Sequence, residues 1–409
     1  MSLDEAGVAV LRATLGAGAL REGAPVEVDG RRLTWSLRPA DGAALGEALR
    51  ALSESGLAAL VRGGGTRSGL GNPPRRADVV LSTAALAGVR ELDVEEGVLC
   101  AGAGTPIPAI REILAGTGWE LPLEAAGPGS TVGGALSTAA PGPRFPAPRD
   151  AVLGLDVVLA SGARTRCGGR VVKNVTGYDL AKLYVGALGS LGVIESAWLR
   201  LRPVPEVVEW RRASLTRGPT STGVLEAARR PAVRGAIVCS GAGVEPELWM
   251  ELAGDAAAVA ADAAWLDANL AARPAEDSGF DAAFAPALAD ERGLVGRVAF
   301  RPSRLTAATA PLAATGAHLC VLPAHGLCWA RFAPASRAGD AAVEAALAAL
   351  RDAARKGGGS WRVEAAPACA KRGRDVFGDP GEALPLMRAL KQRFDPAGVL
   401  NAGRFAGGL

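Results

Sequence analysis

The stretch Val61-Arg-Gly-Gly-Gly-Thr-Arg-Ser-Gly-Leu-Gly71 constrains this chain more than any other, because it follows an apolar run, Leu57 to Val61, that ends like a strand. A strand that empties into consecutive glycines brings its backbone up to a ligand. Glycine reaches positive φ at no steric cost and carries no Cβ, so successive N–H groups can point into one concavity and hold an anion. Thr66 and Ser68 add hydroxyl donors, and Arg62 and Arg67 add the positive charge that a diphosphate favours. A plain surface loop is the competing reading of the same residues. The stretch is not a Walker loop, since Gly65 is followed by Thr66 and Arg67 rather than by Lys and Ser or Thr. Nor is it a Rossmann fingerprint, because Gly71-Asn72-Pro73-Pro74 cannot open a helix cleanly.

Around this loop the periodicities predict alternating helices and strands. Leu33 to Leu37 is strand-like, and Leu45, Leu49 and Leu52 share one face of a helix. Ala77 to Leu81 reads as a buried strand, and Val89 to Asp93 with Val98 to Ala101 as a hairpin. Thr105 and Pro106 suit the N-cap and first turn of a helix through Ile110, Ile113 and Leu114. A second glycine cluster follows at Ala126-Gly-Pro-Gly-Ser-Thr-Val-Gly-Gly-Ala-Leu-Ser137. Ser130 and Thr131 can reach phosphate there, and Gly133 and Gly134 permit close contact with a flat ring. By itself it is a loose nucleotide fingerprint, equally readable as tight helix packing through small residues. Asp156 to Leu159 and Ala163 to Cys167 form another hairpin. A third glycine-dense turn at Gly186, Gly189 and Gly192 then precedes an alternating strand from Glu195 to Arg202.

Beyond Glu206 the pattern changes to short strands (Ala236 to Cys239, Leu248 to Leu252, Val295 to Phe300, His318 to Leu322, Trp361 to Glu364) and Ala-rich helices at 256–272 and 341–356. Asp277 to Asp281 reads as a loop, and Pro380 to Phe394 as a helix that ends at Asp395-Pro-Ala-Gly. The expected organisation is α+β: an N-terminal extension 1–36 with a frayed start, a first domain 37–205, a cap domain 206–375, and a C-terminal helix and tail 376–409. At 409 residues the chain is too long for one core. A net charge of +3 provides no broad basic surface, which argues against nucleic acid as a partner. The six cysteines lack any Cys-x-x-Cys pair and read as reduced core residues of a cytoplasmic protein. The N-terminus is acidic and lacks a leader-like apolar core, and no segment is long and apolar enough to span a bilayer.

Arg62-Gly-Gly-Gly-Thr, Gly129-Ser-Thr-Val-Gly-Gly and Tyr178-Asp-Leu with Gly186-Ala-Leu-Gly-Ser-Leu-Gly-Val-Ile194 together resemble the FAD-binding domain of the vanillyl-alcohol oxidase and p-cresol methylhydroxylase superfamily. The similarity runs from about residue 37 to about residue 205. Within it, Gly168-Gly-Arg-Val-Val-Lys-Asn-Val-Thr-Gly-Tyr-Asp-Leu180 most resembles the FAD-binding E subunits of bacterial glycolate oxidases. The run Leu386 to Arg404 is similar to the closing helix of the same 2-hydroxyacid oxidase branch, which packs back on the FAD domain.

The resemblance implies FAD contacts at Arg62, Gly63, Gly64, Gly65, Thr66, Arg67, Ser68 and Gly69 in the first loop. It implies further contacts at Pro128, Gly129, Ser130, Thr131, Gly133, Gly134 and Ser137 in the second, and at Gly189, Gly192, Val193 and Ile194 in the third. Asp179 is expected to fix its local turn. Relatives that attach FAD covalently use a histidine in the first loop; Thr66 stands at the matching position, so the flavin is expected to be non-covalent. Cys100 and Cys167 read as core rather than as attachment points. The related 2-hydroxyacid dehydrogenases carry a histidine and carboxylate cluster for a metal and a base. Here only His325 falls near it, so no metal site is expected, and His325, Arg301 and Arg331 are the candidates for a catalytic role. The implied function is that of a flavin subunit working with a sister flavoprotein and an iron–sulfur subunit on a small 2-hydroxy acid such as glycolate. A stand-alone FAD oxidoreductase and a flavin-free assembly subunit are the alternatives.

Overall fold

A computed structural model describes residues 3–170, 178–216, 221–241, 243–284, 293–332 and 340–409. It divides into two compact units, Met1–Val204 with Asp379–Leu409, and Pro205–Gly378. The run Val171 to Gly177, part of the glycolate oxidase-like stretch, lies outside the described residues.

The first unit begins with α1 (Glu5–Leu15), capped by the Asp4 carboxylate, which accepts from Gly7 N at 2.8 Å. Strands β1 (Leu20–Val28) and β2 (Arg31–Leu37) follow as an antiparallel hairpin. The expected N-terminal extension 1–36 therefore holds edge strand β1 and all of β2 but its last residue. Leu11, Leu20 and Leu37 bury it in a common core. Helix α2 (Gly42–Glu54) is capped by Asp41 and buries Leu45, Leu49 and Leu52, the i, i+4, i+7 stripe of an amphipathic helix. Strands β3 (Ala59–Arg62) and β4 (Val79–Ser82) complete a sheet in the order β1-β2-β4-β3, with β3 parallel to β4 and left at the edge.

A second sheet is antiparallel throughout. It contains β5 (Val89–Asp93) and β6 (Val98–Gly102), and between them and its later strands lie α3 (Ile107–Leu114), the two-residue β7 (Trp119–Glu120) and α4 (Val132–Thr138). The later members are β8 (Val152–Val158), β9 (Arg164–Gly168), then α5 (Ala181–Tyr184) and β10 (Val193–Arg200), giving the order β5-β6-β10-β8-β9. A short β11 (Arg202–Pro203) pairs with β7. Thr105 does not cap α3 as its position predicts; its hydroxyl donates to Gly102 O at 2.7 Å and accepts from Gly88 N at 2.9 Å, so the helix starts after Pro106 without a side-chain cap. Central β10 carries Glu195, which is buried and receives Arg90 from β5 at 3.3 Å and Arg164 from β9 at 3.0 Å. One carboxylate thus ties both outer strands to the middle of the sheet.

The second unit is an eight-stranded sheet. Its elements in chain order are β12 (Val207–Ser214), α6 (Ser221–Ala228), β13 (Val233–Gly241), β14 (Val244–Gly254), α7 (Ala256–Leu270), β15 (Arg273–Ala275) and α8 (Asp277–Phe284). Then come β16 (Val295–Ala299), α9 (Leu305–Ala313), β17 (His318–Leu322), β18 (Leu327–Arg331), α10 (Asp340–Gly357), β19 (Ser360–Ala365) and α11 (Ala368–Lys371). The strand order is β15-β12-β14-β13-β17-β18-β16-β19. Strand alternation splits its apolar residues: Ala236, Leu319 and Val321 join α6, α7, α9 and α10 in one core, while Ile237, Cys320 and Trp329 face the other side with Phe280 and Phe284. The expected loop over Asp277 to Asp281 is therefore helix, because Phe280 and Phe284 sit one turn apart and both bury against that sheet face. The chain then returns to the first unit through α12 (Leu384–Phe394), preceded by one 3-10 turn at Gly381–Ala383 where the sequence predicts continuous helix. The α+β fold class is borne out.

Candidate functional site

A single cleft in the first unit is lined by the ends of β3 and β10 and by all three glycine clusters. It holds about 930 Å³ of space free of protein, part of it open to solvent. From the first loop it takes Arg62, Gly63, Gly64, Gly65, Thr66, Arg67 and Ser68, and from the second Ser130, Thr131, Gly133, Gly134 and Ser137. Gly189, Gly192, Val193 and Ile194 come from the third. Gly69, Pro128 and Gly129 do not line it.

The loops touch through their backbones, which is why they are glycine. A Cβ on Gly64 would run into the carbonyl of Gly129, and one on Gly63 into Oγ1 of Thr131. Gly65 has φ +82°, a left-handed conformation that L side chains resist, and the Arg62 guanidinium lies where its Cβ would be. A Cβ on Gly133 would stand 2.8 Å from that of Ala103, and one on Gly192 would stand 2.6 Å from Val157 Cγ1. The hydroxyls of Thr66 and Ser130 meet across the loops at 3.3 Å. Thr131 caps α4, accepting from Gly134 N at 3.3 Å.

Two guanidinium groups line the cleft with a buried nitrogen that makes no hydrogen bond: Arg62 through Nε and Arg404 through Nη1, the latter 3.8 Å from the Asp29 carboxylate. Burial and Asp29 act oppositely on Arg404, and burial wins, holding its pKa below the ordinary value. The Arg62 Nε donor, beside backbone amides and hydroxyls, forms an environment for an anion. The cradle fits the diphosphate of a dinucleotide.

Residues outside the expected set also reach the cleft: Thr83 after β4, Ala103 after β6, Glu124, Leu188, and Asn401 and Arg404 from beyond α12. The glycine-punctuated run Gly398-Val-Leu-Asn-Ala-Gly-Arg404 was the available signal for the last two. Asp179 lies outside the cleft and pairs with Lys182 at 3.1 Å. Cys100 and Cys167 are buried strand residues that do not line it; burial raises both thiol pKa values, that of Cys167 to about 11.

The catalytic candidates all belong to the second unit. His325 follows β17 in a 3-10 turn, with an open surface but a ring crowded enough that desolvation holds its pKa down. Arg301 precedes another 3-10 turn, and Arg331 ends β18. His318 begins β17 and His325 lies beyond its far end, so the two imidazoles do not converge. Among the described residues no group of three His, Cys, Asp or Glu side chains is placed to hold a metal ion. No described helix is long and apolar enough to cross a membrane.

Residues 36–168 match the FAD binding domain family. The whole chain superposes on p-cresol methylhydroxylase with substrate bound at a TM-score of 0.71 and 14% identity, covering 98% of this chain and 97% of that one. The family match identifies an FAD binding domain in the first unit, and the likeness to p-cresol methylhydroxylase shows the fold. Among named relatives, bovine mitochondrial D-2-hydroxyglutarate dehydrogenase is 35% identical over 42% of this chain and 32% of its own length. Glycolate oxidase subunit GlcE of Escherichia coli is 35% identical over 38% of this chain and 44% of its own. The matched stretch thus spans less than half of these relatives.

Proposed function

We propose that this chain is the FAD-binding subunit of a glycolate or similar 2-hydroxyacid oxidase, working with a sister flavoprotein and an iron–sulfur subunit. The observation that carries it is the convergence of three glycine loops on one cleft in which Cβ positions are already filled and the buried Arg62 Nε makes no hydrogen bond. The relatives support the substrate class, since glycolate and D-2-hydroxyglutarate in their names are both 2-hydroxy acids.

FAD, when bound, supplies the acceptor for the hydride leaving a substrate carbon. The chain's own part is to hold the cofactor. Backbone amides of Gly63 to Gly65, with Thr66, Ser68, Ser130 and Arg62, would hold its diphosphate, and Gly133, Gly134, Gly189 and Gly192 line the rest of the cleft with their own Cβ positions closed by neighbouring protein atoms. Thr66 cannot form the histidyl bond to flavin, and Cys100 and Cys167 lie away from the cleft, so the cofactor is held without a covalent link. A 2-hydroxy acid must also give up its hydroxyl proton to a base within about 3 Å. With two histidines in the chain and neither near the other, the base comes from the partner flavoprotein.

Acid precipitation of the purified protein should release all yellow colour, and glycolate should reduce a dye only when the partner subunits are present. Flavin remaining in the pellet would refute non-covalent binding. Steady glycolate-dependent reduction of flavin by the single chain would instead favour a stand-alone oxidoreductase, with His325, Arg301 and Arg331 as the residues to substitute.

A further inference from the structure

The residues that follow α12 are not a loose tail. Ala59 N donates to Val399 O at 2.7 Å and Asn401 N donates to Ala59 O at 3.0 Å, so residues 399–401 pair in parallel with the free edge of β3. Asn401 has φ +46°, a left-handed conformation that asparagine tolerates better than most residues. Its side chain is buried between two cofactor loops. Oδ1 accepts from Val61 N at 2.9 Å, two residues before Gly63, and Nδ2 donates to Leu188 O at 2.5 Å, one residue before Gly189. One amide therefore joins the first glycine loop to the third.

Arg404 holds the far end of the first loop, with Nη2 donating to Ser68 O at 2.6 Å and to Leu70 O at 2.5 Å. Lys391 repeats the pattern on the other side. Its Nζ donates to Ser190 O at 2.8 Å and to Leu400 O at 2.9 Å, and pairs with Asp395 at 2.6 Å. The Asp395 carboxylate in turn accepts from Val399 N and Leu400 N, each at 2.8 Å. Apart from the pairing with Ala59 of β3, these bonds link residues 391–404 to themselves or to the segments that carry the first and third glycine loops.

We infer that residues 391–404 form a clasp that sets how long FAD stays bound, with Asn401 and Arg404 as positioning residues that fix the spacing of the first and third glycine loops. The inference rests on the reading of the cleft as an FAD site. It assigns to the end of the chain a role that the glycine loops cannot perform alone: a glycine loop is compliant, and a cradle built from two of them keeps its width only if something rigid spans it.

The test is the affinity of the apo protein for FAD, measured by quenching of flavin fluorescence, in the wild type and in three variants. Asn401→Ala strands the Val61 N–H and the Leu188 carbonyl and should raise the dissociation constant about tenfold or more. Arg404→Lys keeps the charge but cannot hold both carbonyls in a fork, and should raise it about threefold or more; it carries the test if Asn401→Ala fails to fold. Leu11→Ala, in the core of the same unit but outside the cleft, should lower the melting temperature of the apo protein yet leave the dissociation constant within about twofold of wild type. A clasp variant that binds FAD as tightly as wild type overturns the proposal, as does a Leu11→Ala protein that weakens binding as much as the clasp variants do. A wild-type chain that binds no FAD overturns the cofactor reading and the clasp together.

Discussion

Gly64 and Gly65 are neighbours with different reasons to be glycine. Gly65 needs its left-handed backbone, whereas Gly64 is required by the carbonyl of Gly129 pressed against it. Gly64→Ala should therefore weaken FAD binding about tenfold or more by forcing the first two loops apart, while Gly69→Ala, which meets nothing within 4 Å, should leave binding within about twofold. Flavin titration of the two apo variants checks the contrast. Asp156 contributes a dependence of stability on acid. Burial pushes the Asp156 carboxyl up, but hydrogen bonds from Arg166 at 2.7 Å and Ser196 at 2.8 Å outweigh it, so its pKa lies below the ordinary 3.8. A depressed carboxyl adds stability above pH 3.8 that disappears as pH falls through the folded value. Asp156→Asn should accordingly lose less stability than wild type between about pH 5 and pH 3, as read by urea denaturation at the two pH values.

Single elements show how burial overrides local propensity. Asp277-Ser-Gly-Phe-Asp looks like a turn, and Gly279 lowers helix propensity further. The segment is nonetheless helical because Phe280 and Phe284 cover Ile237, Cys320 and Trp329, with Phe284 edge-on to Trp329 at 5.4 Å. Gly279 is needed for the same docking, since a Cβ there would strike the Trp249 ring. Phe280→Ala should cost about 3–5 kcal/mol, the range for emptying a buried aromatic site, and should appear as an earlier urea transition of the second unit. Helix α2 is the opposite case: its apolar stripe and Asp41 cap agree with its burial, so propensity and tertiary packing point the same way.

For the whole molecule, the division into two units matters because every residue lining the cleft belongs to the first. That unit is assembled from the two ends of the chain, and its cleft is incomplete until Asn401 and Arg404 arrive. A ligand that binds only the folded form stabilises it by about 2.7 kcal/mol at one hundred times its dissociation constant. Saturating FAD should thus raise the melting transition of the first unit in calorimetry and leave that of the second in place. Movement of both transitions together would show that the units unfold as one.

The sequence alone determined the local grammar of this protein. Leucine spacing marked α2, the run of glycines after a strand marked the first cofactor loop, and three such clusters with their flanking strands carried the resemblance to FAD-binding domains, because the close approach of backbone to ligand or to another loop leaves few residue types usable. Tertiary structure decided which glycines answer to which constraint, since the partner of Gly64 lies in a loop 65 residues away along the chain. It also decided that Thr105 serves Gly88 and Gly102 instead of capping α3, and that Asp277 to Phe284 is helix. Above all it decided the place of Asn401, whose contacts with Val61 and Leu188 lie 340 and 213 residues away. No window of neighbouring residues contains such a contact; only the pairing of 399–401 with the edge of β3 brings that side chain between the loops.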